Sequence, residues 1–296
     1  MMRDAADNKT LPEAPRQTFR SLARRRFLRH RLALVGAVIV AAIVLMAVFA
    51  PWLAPHDPNH VNIMLAREGP SSGHFLGSDL VGRDVLSRLI YGSRVSLSVG
   101  LLAVGVYVAI GLILGCVAGY FGGWVDMMVS RLVDAVLSFP TLMLILVIVG
   151  LLGPSLFNII LVLGFLGWPE VARIVRAQTL AVREELYVLS SEAAGAPSSR
   201  ILLKDILPNI MSPVIVNATF GVARAILIEA GLSFLGMGVQ PPTASWGNML
   251  NDAQSLSILE TMPWMWVPPG LMIFIATISI NFMGDGLRDA LDPKLN

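Results

Sequence analysis

Of 296 residues, 55% are hydrophobic and only 14% charged, with a mean hydropathy of +0.70; this balance excludes a soluble globular domain and leaves a polytopic membrane protein. The formal net charge is +2, and the one cysteine, Cys116, excludes a disulfide framework or a thiolate metal site within a single chain. Lys9, Lys204 and Lys294 all lack the glycine setting of a phosphate-cradling loop, which excludes nucleotide binding of that kind.

Residues 1–31 are polar and end in Arg24-Arg25-Arg26-Phe27-Leu28-Arg29-His30-Arg31. The cluster is similar to a twin-arginine export signal, but the uncharged run after it, Leu32 to Pro55, has 24 residues, more than the roughly 7–15 of a cleavable core. An uncleaved first span over 32–53 is expected, with the arginines on the cytoplasmic side. Residues 54–94 turn to Pro, Gly, Asp and Arg and predict a small extracytoplasmic layer. It contains Gly77-Ser78-Asp79-Leu80-Val81-Gly82-Arg83-Asp84-Val85-Leu86-Ser87-Arg88, then Gly92-Ser93-Arg94-Val95-Ser96-Leu97. Alternating Asp and Arg predict a turn with local ion pairs, each worth under about 1 kcal/mol at an exposed site. His56 and His60 have the spacing of one helix face, but Pro55 and Pro58 oppose a helix, so a surface pair is expected there and not a metal site.

Residues 95–284 read as a core of five further spans. Val95 to Val125 is uncharged, and Gly111, Gly115, Gly119 and Gly123 recur every fourth residue, a ridge on which another helix can approach closely. Arg131 and Asp134 share a face and are expected to pair near the cytoplasmic end, because an unpaired charge near the bilayer centre costs at least about 2.5–3.5 kcal/mol. Pro140 is expected to kink or interrupt the helix. Run 135–169 is too long for one crossing, and Gly150 to Ser155 is the natural turn, with one helix to about Leu151 and another from about Leu156.

A polar island, Glu170 to Pro208, follows within a loop assigned to 170–211. Its backbone cannot lie in lipid, where unpaired N–H and C=O groups are too costly. It carries Leu189-Ser190-Ser191-Glu192-Ala193-Ala194-Gly195-Ala196 and, further on, Asp205, Leu207 and Pro208. The fifth span, Pro213 to Gly236, is interrupted by Arg224 and Glu229. Five residues apart, these two point to different faces, and both a functional and an anchoring role stay open. An outer loop over 237–262 is introduced by Leu232-Ser233-Phe234-Leu235-Gly236-Met237-Gly238 and holds Gln240-Pro241-Pro242-Thr243-Ala244-Ser245-Trp246-Gly247. Its proline pair predicts extended backbone, and its tryptophan suits the membrane interface. The sixth span, Thr261 to Gly284, leads into a tail, 285–296, reading Asp285-Gly286-Leu287-Arg288-Asp289-Ala290-Leu291-Asp292-Pro293-Lys294.

With six spans and a cytoplasmic start, the inner segments hold 17 of the 22 Lys and Arg, the positive-inside pattern that places the island and both termini in the cytoplasm. The stretches at 77–97, 232–247 and 281–294 resemble the C-type permease subunits of dipeptide, oligopeptide and nickel importers. The spacing from Gly195 to Leu207 and Pro208 resembles the coupling loop of ABC importer permeases. In that loop the family's E-A-A positions fall on Leu189, Ser190 and Ser191, three residues ahead of the literal Glu192-Ala193-Ala194, and Asp205 replaces a usually apolar residue.

The resemblance implies an all-α, six-helix permease of the ABC importer type I fold in the bacterial inner membrane, with no catalytic residue, metal, cofactor or nucleic-acid partner of its own. It implies a second, non-identical permease subunit, two ATPase subunits that bind ATP and Mg, and an extracytoplasmic solute-binding protein. A short helix around Glu192 to Ser199 is expected to dock on an ATPase subunit, Gly195 and Ala196 allowing close backbone approach and Pro208 stiffening the lever. Short peptides are the expected solute, nickel or glutathione the alternatives. The competing class is an ATP-independent secondary transporter or channel, against which only Arg224 and Glu229 lie deep in the spans, few for an ion relay.

Overall fold

In hydrocarbon a chain must satisfy its backbone polar groups within its own segment, so the apolar runs form helices. The computed structural model describes residues 25–291; the tail up to residue 24 and the closing Asp292-Pro293-Lys294 lie outside the described residues. The main helices are α1 (Arg31–Val48), α2 (Val85–Phe121), α3 (Gly123–Leu137), α4 (Thr141–Leu152) and α5 (Leu156–Arg183). They are followed by α6 (Leu186–Ala193), α7 (Leu207–Phe234), α8 (Trp246–Asn251) and α9 (Pro263–Leu291). Among the described residues five helices are long and apolar enough to cross a membrane, or six if the bent pair α3 and α4 is one span. The chain is an all-α polytopic membrane protein.

Several boundaries differ from the sequence expectation. Helix α2 begins at Val85 and not Val95, because Asp84 caps it by accepting the Ser87 N–H and because its charged first turns are covered by the neighbouring loops. Its 37 residues span about 55 Å, well beyond a hydrocarbon core of about 30 Å. Helix α5 continues through Glu170 to Arg183, so the island's first half is helix and not loop, and Glu170 belongs to the span instead of the cytoplasmic segment expected. Helix α7 is regular from Leu207 instead of Pro213 and continues a helical stretch that begins at Ser198, with Pro208 just after its π turn. The turn at Gly153 is as expected: its φ is +86°, and Ser155 caps α5 by accepting the Asn158 N–H at 3.1 Å.

The third span is not one straight helix. Pro140 disfavours helical backbone at Phe139, and α3 and α4 meet at 81°. Helix α4 alone, 12 residues, reaches only about 18 Å and cannot cross.

Helices α2 and α5 cross closely along a glycine ridge. A Cβ at Gly111, Gly115 or Gly119 would come within 2.6–2.7 Å of Val171, Val175 or Thr179, so the ridge allows backbone approach that any side chain would block. Gly123 is not part of it; at φ +52° it opens α3. Residues 54–84 and 236–252 gather at one end of the bundle, where Gly150 faces Met237. Residues 184–206 gather at the other, where Arg183 Nη1 donates to the Gly119 and Tyr120 carbonyls at the end of α2.

Candidate functional site

At the first end, the Gly77–Arg88 stretch is a buried clamp and not an exposed turn. Gly77 and Gly82 take φ of +72° and +80°, and a Cβ on Gly82 would strike the Asn62 carbonyl. The loop thus closes so tightly that Asp79 Oδ1 accepts the Val81 and Arg83 N–H groups at 3.0 and 2.9 Å while Oδ2 takes Arg83 Nε at 2.6 Å. The Arg88 guanidinium, also buried, faces Asp79 at 3.7 Å and donates to the carbonyls of Pro58 and Pro242, tying three segments together. Burial makes these pairs far less screened than the exposed ones expected.

Around Asp84, Ser87 donates from both N–H and Oγ at 2.7 Å, and His74 Nδ1 lies 2.8 Å away. Burial alone would raise the Asp84 carboxyl, but the hydrogen bonds from Ser87 and His74 outweigh it and hold it below the usual carboxylate value. His56 does not pair with His60; its ring stacks on His74 with centroids 4.7 Å apart. One ring nitrogen of each histidine and an Asp84 oxygen lie within 4.8 Å of one another, donor types that suit a transition metal; Asp84 already serves the helix cap. Nearby, Asp252 is pushed up by burial and by the Asp79 carboxylate, against the pull of Arg83 and Arg88.

The second outer motif folds onto a buried acid. Glu229 is 0% exposed; its carboxylate accepts Ser233 Oγ at 2.7 Å, Ser245 Oγ at 2.8 Å and Ser96 Oγ at 3.2 Å. These hydroxyls in turn accept the N–H groups of Val239, Asn248 and Trp246. One side chain thereby fastens the loop after α7 to α2 and α8, which assigns Glu229 an anchoring role within the chain. Trp246 is not at an interface: it is fully buried and donates Nε1 to the Leu89 carbonyl at 3.1 Å, with Gly247 against Ala230. The Pro241–Pro242 bond is cis, not the extended pair expected, an isomer that the tertiary amide of X–Pro makes accessible. Gln240 Nε2 donates back to the Gly236 and Gly238 carbonyls.

At the opposite end the short helix is α6, Leu186–Ala193, and not the expected Glu192 to Ser199, because the chain leaves the helix in a Schellman cap at Gly195. Gly195, φ +78°, donates its N–H to the Glu192 carbonyl at 2.9 Å, and Ala196 donates to Ser191 at 3.1 Å. A Cβ at Gly195 would meet nothing within 4 Å, so within this chain the glycine serves φ and not close packing. Val188, Ile201, Ile206 and Ile210 are buried and pin the island to the bundle. Leu186, Leu189 and Leu203 remain exposed, Leu186 to 80%, beside exposed Ser190, Glu192, Ala193 and Ala194. Residues 201–206 form a π-helical turn leading into α7, a register that suits Pro208, whose ring excludes the usual carbonyl four residues earlier. Asp205 Oδ2 is buried there without a hydrogen-bond partner.

The expected Arg131–Asp134 pair is not formed. Asp134 instead takes Arg173 Nη2 of α5 at 2.9 Å, and one helix turn on, Arg176 pairs with Asp126. Arg224 does not face Glu229; its Nη1 donates to Glu170 Oε2 at 2.6 Å. That pairing across 54 residues leaves no local trace in the sequence.

The model of a family described as binding-protein-dependent transport system inner membrane component matches residues 111–296, and that of the N-terminal TM domain of oligopeptide transport permease C matches residues 18–70. Among similar proteins, a dipeptide transport system permease protein of Alkalihalophilus pseudofirmus is 41% identical over 90% of this chain and 87% of its own length. An oligopeptide transport system permease protein of Bacillus subtilis is 41% identical over 91% and 88%, and a glutathione transport system permease protein of Pectobacterium atrosepticum 39% over 92% and 90%. A solved chain of the MetNI methionine ABC transporter in an inward-facing conformation superimposes with a TM-score of 0.55 at 20% identity, covering 69% of this chain and 96% of that one. It has the same fold.

Proposed function

The chain belongs to the family of binding-protein-dependent transport system inner membrane components, and from that premise we propose that it is a membrane-spanning permease subunit of an ABC importer for short peptides. It forms the pathway with a second, non-identical permease subunit, receives solute from an extracytoplasmic binding protein, and is driven by two ATPase subunits that hold ATP and Mg. This chain itself is not an enzyme and carries no cofactor. It sits in the bacterial cytoplasmic membrane with the 184–206 end and both termini inside.

The observation that carries this reading is the construction of the island. A capped helix with exposed Leu186 and Leu189 is fixed by Val188 and Ile201 to the foot of α7, so a push on α6 is delivered to a spanning helix and not absorbed by a loose loop. Dipeptide and oligopeptide permeases among the relatives support a peptide solute. The glutathione permease supports the alternative of that solute, itself a small peptide. Copurification from membranes tests the reading: an ATPase subunit retained by wild type and lost with Gly195→Val supports it, whereas binding-protein-independent transport by the chain alone would place it among secondary carriers.

A further inference from the structure

Arg224 lies ten residues from the Phe234 end of α7, and Glu170 fourteen from the Leu156 end of α5. At about 1.5 Å per residue, both stand roughly 15–21 Å below the same end of the bundle, near the middle of a hydrocarbon layer about 30 Å thick. Yet their side chains are 58% and 51% exposed in the chain alone. Charges turned to lipid at that depth would each cost at least about 2.5–3.5 kcal/mol, so this face is covered by water or by protein. Beside the pair is a cavity of about 160 Å³ whose wall includes Tyr107, Thr141, Asn217 and Gly221. Gly221 makes room for the Tyr107 hydroxyl, which a Cβ there would overlap. The rest of the wall is mostly apolar, including Leu137, Ile145, Leu163 and Ile228, so the ion pair and a few neutral polar groups converge on an apolar cleft, the usual make-up of a small-solute site.

We propose that Glu170 and Arg224 are specificity-determining residues of the pathway that receive the two charged ends of a short peptide. The inference rests on the peptide-importer reading above. The guanidinium takes the peptide's α-carboxylate and the Glu170 carboxylate takes its α-ammonium, so each end of the solute replaces the partner it displaces. Charge stays paired throughout, which a mid-membrane path requires.

The test is uptake by the complete importer in proteoliposomes, using a free dipeptide, its N-acetyl form and its C-terminal amide, each at a concentration shown by equilibrium binding to saturate the binding protein. ATP- and binding-protein-dependent uptake of the free dipeptide by wild type establishes the peptide-importer reading; its absence defeats that reading, whatever the variants do. Given that uptake, Arg224→Gln should lower transport of free peptide roughly tenfold or more, the scale of one charge-assisted hydrogen bond. It should also erase the preference over the amide while keeping that over the N-acetyl form. Glu170→Gln should do the reverse. Ratios unchanged in both variants, or lost in parallel, would mean that the pair is merely structural and would overturn the proposal. If either variant fails to assemble, Asn217→Cys in the assembled importer decides: labelling by a membrane-impermeant thiol reagent, slowed by peptide, supports an aqueous solute path, and no labelling in any nucleotide state refutes it.

Discussion

A Cβ added to Gly195 would touch nothing, yet its φ of +78° is one that L side chains avoid at about 1–2 kcal/mol. Gly195→Val should therefore distort the end of α6 without disturbing the bundle: membrane insertion and thermal stability stay near wild type while importer-coupled uptake is lost. Normal uptake would show that the shape of this cap is irrelevant. At the other end, Asp84→Ala removes a helix cap and should cost about 1 kcal/mol, read as a lower Tm in detergent. The titrations there have opposite signs. Asp84 is lowered in the folded state, so its stabilisation is present at neutral pH and disappears as pH falls through the folded value, below about pH 4. Asp252 is raised, so its contribution is present below the ordinary aspartate value and lost as pH rises through the folded value. Asp252→Asn should thus raise Tm at pH 7, with the gain vanishing as pH falls below about 4; an unchanged Tm at pH 7 would show that Arg83 and Arg88 already compensate.

Among the elements, the crossing of α2 and α5 leaves no room for a side chain at its glycines. Gly115→Leu would force atoms against the Ala172 carbonyl and Val175, both 2.7 Å from the added Cβ, and should cost about 1–3 kcal/mol or separate the helices. Gly231→Ala is the control: it meets no neighbour within 4 Å, and helix propensity favours it by about 1 kcal/mol. Thermal unfolding of both in detergent checks the pair, and equal effects would mean that the ridge is not a contact. This ridge was legible in the sequence because its period is local, and so were the turn at Gly153 and the break at Pro140. Ion-pair partners were not. Arg131 and Asp134 have suitable spacing, but spacing says nothing of Arg173, which reaches Asp134 from another helix. The start of α2 was hidden because Arg88, a residue that reads as solvated loop, is buried against carbonyls contributed from 30 and 154 residues away.

For the molecule as a whole, the two ends have different construction. The end holding residues 54–84 and 236–252 is cross-tied by Arg88 and by the serines around Glu229, which makes it a rigid cap over the bundle. The opposite end offers exposed leucines on a short helix joined by a π turn to α7. Helix α7 runs from that π turn past Arg224, at the rim of the mid-depth cavity, to the buried Glu229. Composition and the outer motifs carried the class of protein, whereas the cavity and its ion pair emerged only when distant helices were brought together. The most direct measurement is uptake of labelled dipeptide into proteoliposomes holding this chain with the proposed second permease subunit and binding protein, with and without the proposed ATPase subunits and ATP. Uptake only when the ATPase subunits and ATP are present is the predicted result; uptake that proceeds without them would contradict the account.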